Sequence, residues 1–181
     1  MLRILRHSRN AGQSRALRSG IRAARAGIVV TLDGDGQNDP ADIPKVLAPF
    51  HMENTSRIGM VSGVRRRRRD SLVKRLASRF ANRFRRWILD DDATDTGCGL
   101  KAFRRDAYLA LPYFDHMHRY LAALMQREGY EVRFIEVGHR RRMHGRSKYG
   151  VWDRLVVGVQ DIYGVLWLKK RFRPAVEVTE C

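Results

Sequence analysis

The stretch Gly27-Ile28-Val29-Val30-Thr31-Leu32-Asp33-Gly34-Asp35-Gly36-Gln37-Asn38-Asp39-Pro40 constrains the fold of this chain more than any other. Ile28 to Leu32 is an apolar, β-branched run with the character of a buried strand. It ends abruptly in Asp33-Gly34-Asp35-Gly36, residues that tolerate the tight conformations of a turn. A helical pattern precedes it, so the segment reads as part of a covered α/β sheet. Open sheets of that class bind ligands at the carboxyl ends of their strands, where Asp33 and Asp35 fall. Two carboxylates one residue apart repel each other unless a positive charge lies between them. A hard divalent cation, Mg²⁺ or Mn²⁺, supplies that charge and takes oxygen ligands. Ordinary turn chemistry accounts for the same four residues and stays open at this level. The buried strand in front favours a site. An EF-hand loop is excluded, because its further ligands and closing Glu do not follow.

The rest of the composition narrows the partners. The formal charge is +17, and 30 of the 36 basic residues are arginine, a surface that attracts polyanions. No nucleic-acid motif accompanies it, and the aromatics sit on apolar stripes without interleaving with the arginines, so no nucleic-acid partner is expected. Cys98 and Cys181 form neither a disulfide framework nor a metal-ligand spacing, which suits a reducing compartment. The opening Met1-Leu2-Arg3-Ile4-Leu5-Arg6 is too short and charged for a signal peptide. No apolar run reaches the ~18 residues of a membrane span.

Along the chain, Leu2 to Leu5 reads as a short strand and Asn10 to Arg25 as a helix capped by Asn10. Ala16, Leu17, Gly20, Ile21 and Ala24 lie on one face of that helix. With the strand to Leu32 this predicts a right-handed, parallel β-α-β unit. Pro40 to Phe50 predicts a helix, and Ile58 to Val64 a strand ending in Ser62-Gly63. After Arg65 to Arg69, a long helix is expected to about Leu89. Its arginines describe either a solvated face or a basic surface for anionic headgroups. Asp90 to Asp95 is an acidic turn, and Thr96 to Phe103 is glycine-rich, then apolar. Arg105 to Leu111 and His118 to Arg127 predict helices, Tyr130 to Val137 a strand, and Gly138 to Gly150 a basic loop. Val151 to Leu168 predicts a helix with a broad stripe of Trp152, Leu155, Val156, Val159, Ile162, Tyr163, Leu166 and Trp167. Lys169-Lys170-Arg171-Phe172-Arg173 follows at once. Packing on the domain and lying in a membrane interface fit that helix equally.

Several of these segments together resemble the inverting family-2 glycosyltransferases, in the branch similar to dolichol-phosphate mannose synthase. They are Arg9-Asn10-Ala11-Gly12-Gln13-Ser14, Val30 to Pro40, Ser62-Gly63-Val64-Arg65, Asp95 to Arg105, and Gly145-Arg146-Ser147-Lys148-Tyr149-Gly150. The resemblance implies a GT-A fold, a Rossmann-like nucleotide-diphospho-sugar transferase α/β sandwich. It implies Mg²⁺ or Mn²⁺, a nucleotide-sugar donor such as GDP-mannose or a UDP-hexose, and a polyprenyl phosphate acceptor at an anionic membrane surface, on its cytoplasmic face. Asp33 and Asp35 match the metal and diphosphate motif, with Gln37 close by. Arg65 matches an arginine near the acceptor or donor phosphate, and Lys101 is expected to join it in holding the acceptor phosphate. Arg146, Ser147 and Lys148 match a basic loop that closes over the phosphates. Family members also carry a Pro-x-Tyr-Asn-Glu strand and an Asp-Asp-Gly-Ser strand ahead of these segments. Neither motif is in this sequence, so the sandwich is expected to be N-terminally truncated, lacking its first β-α-β unit.

The expected organisation is a partial catalytic domain over 1–150, an interface helix and basic end over 151–173, and a tail over 174–181. In related glucosyl transferases an aspartate near the glycine-rich strand is proposed to act on the acceptor. Cys98 or Gly99 stands in that place here, and Asp95 is the nearest carboxylate. The alternatives are an inactive fragment, or a non-catalytic basic protein that binds anionic lipid or nucleic acid.

Overall fold

The computed structural model describes residues 2–52, 55–65, 85, 87–140 and 151–174. Its centre is a sheet of β1 (Ile28–Thr31), β2 (Ile58–Arg65), β3 (Lys101–Arg104) and β4 (Glu131–Val137), in the order β1-β3-β2-β4. β3 runs antiparallel to both its neighbours, and β2 and β4 are parallel. The helices are α1 (Gly12–Ala23), α2 (Ile43–Leu47), α3 (Arg105–Ala110), α4 (Leu121–Arg127) and α5 (Val151–Lys170).

Alternation along the strands builds two cores. Met60 and Phe103 point to one face and pack with Ile21 of α1, Tyr108 of α3, Leu121 and Leu124 of α4, and Val165 of α5. Their neighbours Val61 and Ala102 point to the other face and pack with Val46 of α2 and Phe50. The sheet is thus covered on both sides, as the apolar run of β1 requires. Burying a side chain such as Phe103, about 1% exposed, contributes roughly 1.5–3 kcal/mol.

The structure corrects the expected opening β-α-β unit. Leu2 to Leu5 form no strand, and Leu2 and Ile4 are 87% and 86% exposed. Among the described residues no ladder partner reaches the outer edge of β1, and four residues without a ladder do not hold a strand. The segment lies along α1 instead, where Arg3 donates to the Ala23 carbonyl and His7 meets Ser19. β1 pairs antiparallel with β3, not parallel with an earlier strand. The helix expected over Pro40 to Phe50 is divided. A 3₁₀ turn at Pro40–Asp42, the five residues of α2 and a second 3₁₀ turn at Ala48–His51 follow one another, each with a proline in its first turn.

The N-cap of α1 is Ala11 and not the expected Asn10, whose Oδ1 accepts from the Gly12 amide at 3.0 Å in a turn one residue ahead of the cap. The long helix expected to Leu89 lies outside the described residues apart from its end. There Arg85 donates to both carboxylate oxygens of buried Asp91 and to the Ala93 carbonyl, pinning the acidic turn.

Of the stripe predicted on the last helix, the side chains of Trp152, Leu155 and Val156 lie outside what the structure describes, and the rest divides between two faces. Ile162, Val165, Leu166 and Leu168 pack into the core, while Val159, Tyr163 and Trp167 recur every four residues on an exposed face. Lys169 reaches the Leu89 carbonyl and so joins the helix end to the helical segment 87–89, which carries exposed Trp87. No helix among the described residues is long and apolar enough to cross a membrane.

Candidate functional site

The register of β1 on β3 builds the site. Thr31 stands opposite Lys101, and its hydroxyl donates to the Gly99 carbonyl at 3.0 Å. Continuing that register past the end of the strand sets Asp33 against Gly99, where a β-carbon would fall inside the Asp33 carboxylate. The two glycine-rich segments of the sequence thus meet at one end of the sheet.

Local hydrogen bonds hold the aspartate turn. The Asn38 side chain accepts from the Asp33 amide at 3.3 Å and donates toward the buried Cys98 sulfur at 3.8 Å, so it ties the two segments together. Gln13 of α1 donates to Asp33 Oδ1 at 3.3 Å. Asp35 Oδ1 accepts from the Gln37 amide at 3.1 Å across Gly36, whose φ of +75° is one that glycine adopts without a Cβ clash. The Gln37 amide group meets His139 at 3.3 Å, and its carbonyl accepts from Arg140 at 2.9 Å. Arg140 also pairs with Asp39 at 2.6 Å, and Asp42 accepts from the Gly138 amide at 2.6 Å. The Lys45 ammonium, hydrogen-bonded to Asp42, holds that carboxyl below its usual value. The turn is therefore stitched to the end of β4, from which the basic loop departs.

Asp33, Lys101 and His118 line one cavity of about 290 Å³, with Gln13, Thr31 and Gly99. Lys101 is 8% exposed, and its ammonium donates to the carbonyls of Thr96 and Cys98. Burial lowers its pKa, and Cys98, Asp33 and Asp95 oppose that fall. Arg65, at the end of β2, binds Asp95 by its amide at 3.2 Å, Nε at 2.6 Å and NH2 at 2.7 Å. Asp95 lines a small second cavity with Lys101 and His118. The structure thus gathers Asp33, Asp35, Gln37 and Lys101 about one strand end and joins Arg65 to Asp95 nearby. Arg146, Ser147 and Lys148 lie outside the described residues.

The donor set bears on a metal. Among the described residues no three His, Cys, Asp or Glu converge on one point. Asp33 and Asp35 nonetheless fit a hard cation of the Mg²⁺ type, which keeps several waters and is bound by one or two carboxylates plus substrate phosphates.

Gln13, Ser14, Asn38, His118 and Arg119 were not among the residues singled out from the sequence. Gln13, Ser14 and Asn38 do lie within the segments that carry the resemblance. His118 and Arg119 gave no signal; the place of His118 depends on Ser14 of a distant helix. The Ser14 hydroxyl meets His118 Nδ1 at 2.8 Å. Burial is the main cause that depresses the pKa of His118, to about 4 from 6.5. The unfolded chain takes up a proton near pH 6.5 that the folded ring resists. This contribution is complete above that pH and is lost as the pH falls toward 4. Between pH 7 and 5 the wild type should lose on the order of 1–2 kcal/mol more stability than His118→Phe, by denaturant titration. A parallel decline in both proteins would remove His118 from the pH dependence.

A mixed sheet covered on both faces is an α/β fold, and its likeness to solved structures makes it a GT-A fold. Glucosyl-3-phosphoglycerate synthase from Mycobacterium tuberculosis, in complex with Mn²⁺, uridine-diphosphate-glucose and glycerol 3-phosphate, superposes with a TM-score of 0.59. The identity is 20%, over 88% of this chain and 55% of that one. The chain belongs to glycosyl transferase family 2, which matches residues 1–111. It is 33% identical over 177 residues to the dodecaprenyl-phosphate galacturonate synthase of Rhizobium johnstonii, covering 96% of this chain and 51% of that protein. It is 33% identical over 144 residues to the undecaprenyl-phosphate 4-deoxy-4-formamido-L-arabinose transferase of Aeromonas hydrophila subsp. hydrophila, covering 80% and 43%. The chain spans about half the length of the curated relatives it matches.

Proposed function

We propose that this chain carries the diphosphate end of the site of an inverting glycosyltransferase, one that moves a sugar from a nucleotide-sugar donor to a polyprenyl phosphate. The observation that carries this reading is the meeting of Asp33 with Gly99 in a cavity at the end of β1. The family and the polyprenyl-phosphate relatives support it. A divalent cation held by Asp33 and Asp35, with Gln37 beside them, would neutralise charge on the donor diphosphate.

The chain's residues have separable tasks. Gln13 and Asn38 orient Asp33. Arg65, rigidly held by Asp95, is assigned to the phosphate of the acceptor, and Lys101 fixes the loop between them. Arg146, Ser147 and Lys148 are assigned to the departing diphosphate, whose charge they stabilise by preorganised donors. A lipid phosphate is ionised near neutral pH and attacks the anomeric carbon without giving up a proton, so the transfer requires no general base. Attack from the face opposite the leaving group inverts that centre.

Calorimetric titration with UDP-glucose and with GDP-mannose tests the reading and selects the nucleotide. One donor should bind with Mn²⁺ and weaken in EDTA. Asp35→Asn should weaken Mn²⁺-dependent binding by about 10- to 100-fold, the range seen when groups around a metal are removed. Binding indifferent to both changes would overturn the metal assignment.

The same reading treats residues 1–150 as the catalytic part, 151–173 as an interface segment and 174–181 as a tail. Val159, Tyr163 and Trp167 form an exposed stripe above the basic end of α5, which suits a peripheral position on the cytoplasmic face of an anionic membrane. Vesicles of phosphatidylglycerol should sediment the protein at low salt and release it at high salt. Tyr163→Ser with Trp167→Ser should weaken that sedimentation severalfold. Equal binding to neutral vesicles would remove charge from the account.

A further inference from the structure

The cavity beside Asp33 is also lined by two nitrogen-bearing side chains that the assignments above leave unused. His118 and Arg119 belong to the 3₁₀ turn at Met117–Arg119 that leads into α4. Both line the smaller adjoining cavity as well. The Arg119 side chain makes no hydrogen bond or ion pair with the described residues. Asp161 is a carboxylate that feels its charge, without an ion pair, so the half-buried guanidinium keeps its hydrogen-bond donors for an anion in the cavity.

The tautomer of His118 is assigned from its contact with Ser14. The His118 backbone amide donates to Ser14 Oγ at 3.3 Å, and the same oxygen lies 2.8 Å from Nδ1. The hydroxyl keeps a second lone pair and its one hydrogen, and that hydrogen is assigned to Nδ1. The neutral ring then carries its proton on Nε2, which donates to no described residue. Ser14 is completely buried, so this orientation is built into the contact of α1 with the turn. Lys101 is already committed to two carbonyls, which leaves Arg119 to supply the positive charge and His118 a fixed neutral donor.

We infer that Arg119 and the Nε2–H of His118 form an oxyanion pocket in this cavity. On the transferase reading, its occupant is either the phosphate of the polyprenyl acceptor or a carboxylate on the transferred sugar. Both present the same chemistry, a compact oxyanion able to accept from a guanidinium and an imidazole N–H. Ser14 is a positioning residue, acting only through the ring of His118.

The test is calorimetry on the intact protein with citronellyl phosphate and with free galacturonate as separate probes, and with UDP plus Mn²⁺ as reference. Arg119→Gln should weaken one of the two anions by about tenfold or more, as expected for a lost charge-assisted bond, and leave UDP–Mn²⁺ affinity unchanged. His118→Phe, which keeps the ring volume and removes the donor, should weaken the same anion severalfold. If His118→Phe does not fold, Arg119→Gln decides alone. Loss confined to citronellyl phosphate identifies the acceptor phosphate, and loss confined to galacturonate identifies a sugar carboxylate. Unchanged affinity for both anions in Arg119→Gln overturns the pocket. So does a wild type that binds UDP–Mn²⁺ but neither anion. A wild type that binds an anion through Arg119 but never UDP–Mn²⁺ upholds the pocket and overturns the transferase reading instead.

Discussion

Replacing Gly99 with alanine is expected to reduce Mn²⁺-dependent nucleotide-sugar binding by about 100-fold, with a stability loss of about 1–3 kcal/mol. The added β-carbon would fall inside the Asp33 carboxylate. Neither partner can withdraw cheaply. The Gly99 carbonyl is held by Thr31 at 3.0 Å, and the next carbonyl, of Leu100, accepts from Gly63 at 2.9 Å. Asp33 is fixed in turn by Asn38 on its amide and Gln13 on its carboxylate. The carboxylate must therefore swing away, or the ends of β1 and β3 must part. Overpacking of this kind costs about 1–3 kcal/mol, and displacement of a reacting group by about 1 Å costs on the order of 100-fold.

Gly97→Ala is the control. Its β-carbon would press on the Arg65 guanidinium at 3.1 Å, away from Asp33, and should cost far less donor affinity. A double variant separates geometry from chemistry: Asp33→Ala on Gly99→Ala should restore the melting temperature while donor binding stays lost. If Gly99→Ala bound donor like the wild type, Asp33 would not be the diphosphate group.

How far the sequence reached is clear at this same contact. The strand through Leu32 and the turn at Asp33 were legible because a β-branched run and an Asp-Gly pair are local signals. That Asp33 faces Gly99 was not, because it rests on antiparallel pairing of β1 with a strand some 70 residues later, as the Thr31–Lys101 pairing records. Leu2 to Leu5 shows the converse error. Its alternation suits a strand, but a strand is made by its neighbour, and β1 pairs with β3 alone among the described residues. Pro44 and Pro49 were visible in a segment read as one helix, and their missing amide donors divide it. His118 could not be found at all, since its value lies in a hydroxyl 104 residues away. The periodicity of α5 was correctly read as apolar, but only packing could divide it into a core face and the exposed Val159, Tyr163 and Trp167.

The second large effect concerns Asp95, which admits two roles with different arithmetic. As a general base it would act on the acceptor independently of Arg65. As the clamp of Arg65 it would act only through that residue, accepting two hydrogen bonds from its guanidinium and one from its backbone amide, while both side chains are about 10% exposed. Removing one member of such a pair leaves the other buried and uncompensated, at a cost of about 3–5 kcal/mol. Asp95→Asn retains one acceptor and should lie below that range in stability, yet lose about 100- to 1,000-fold in transfer to a polyprenyl phosphate. Arg65→Lys should lose a similar factor, because an ammonium cannot reproduce the two-pronged pairing. In the clamp role the double variant is no worse than the poorer single one, since residues acting as a unit are strongly non-additive. In the base role the two losses multiply, and Asp95→Asn also flattens the acidic limb of the pH–rate profile. The chemistry of the acceptor favours the first outcome: an ionised phosphate brings its own nucleophilic oxygen, so a carboxylate beside it has no proton to remove and would only repel it. Pairing with Arg65 cancels that repulsion, and an arginine so held meets the incoming phosphate without reorganising.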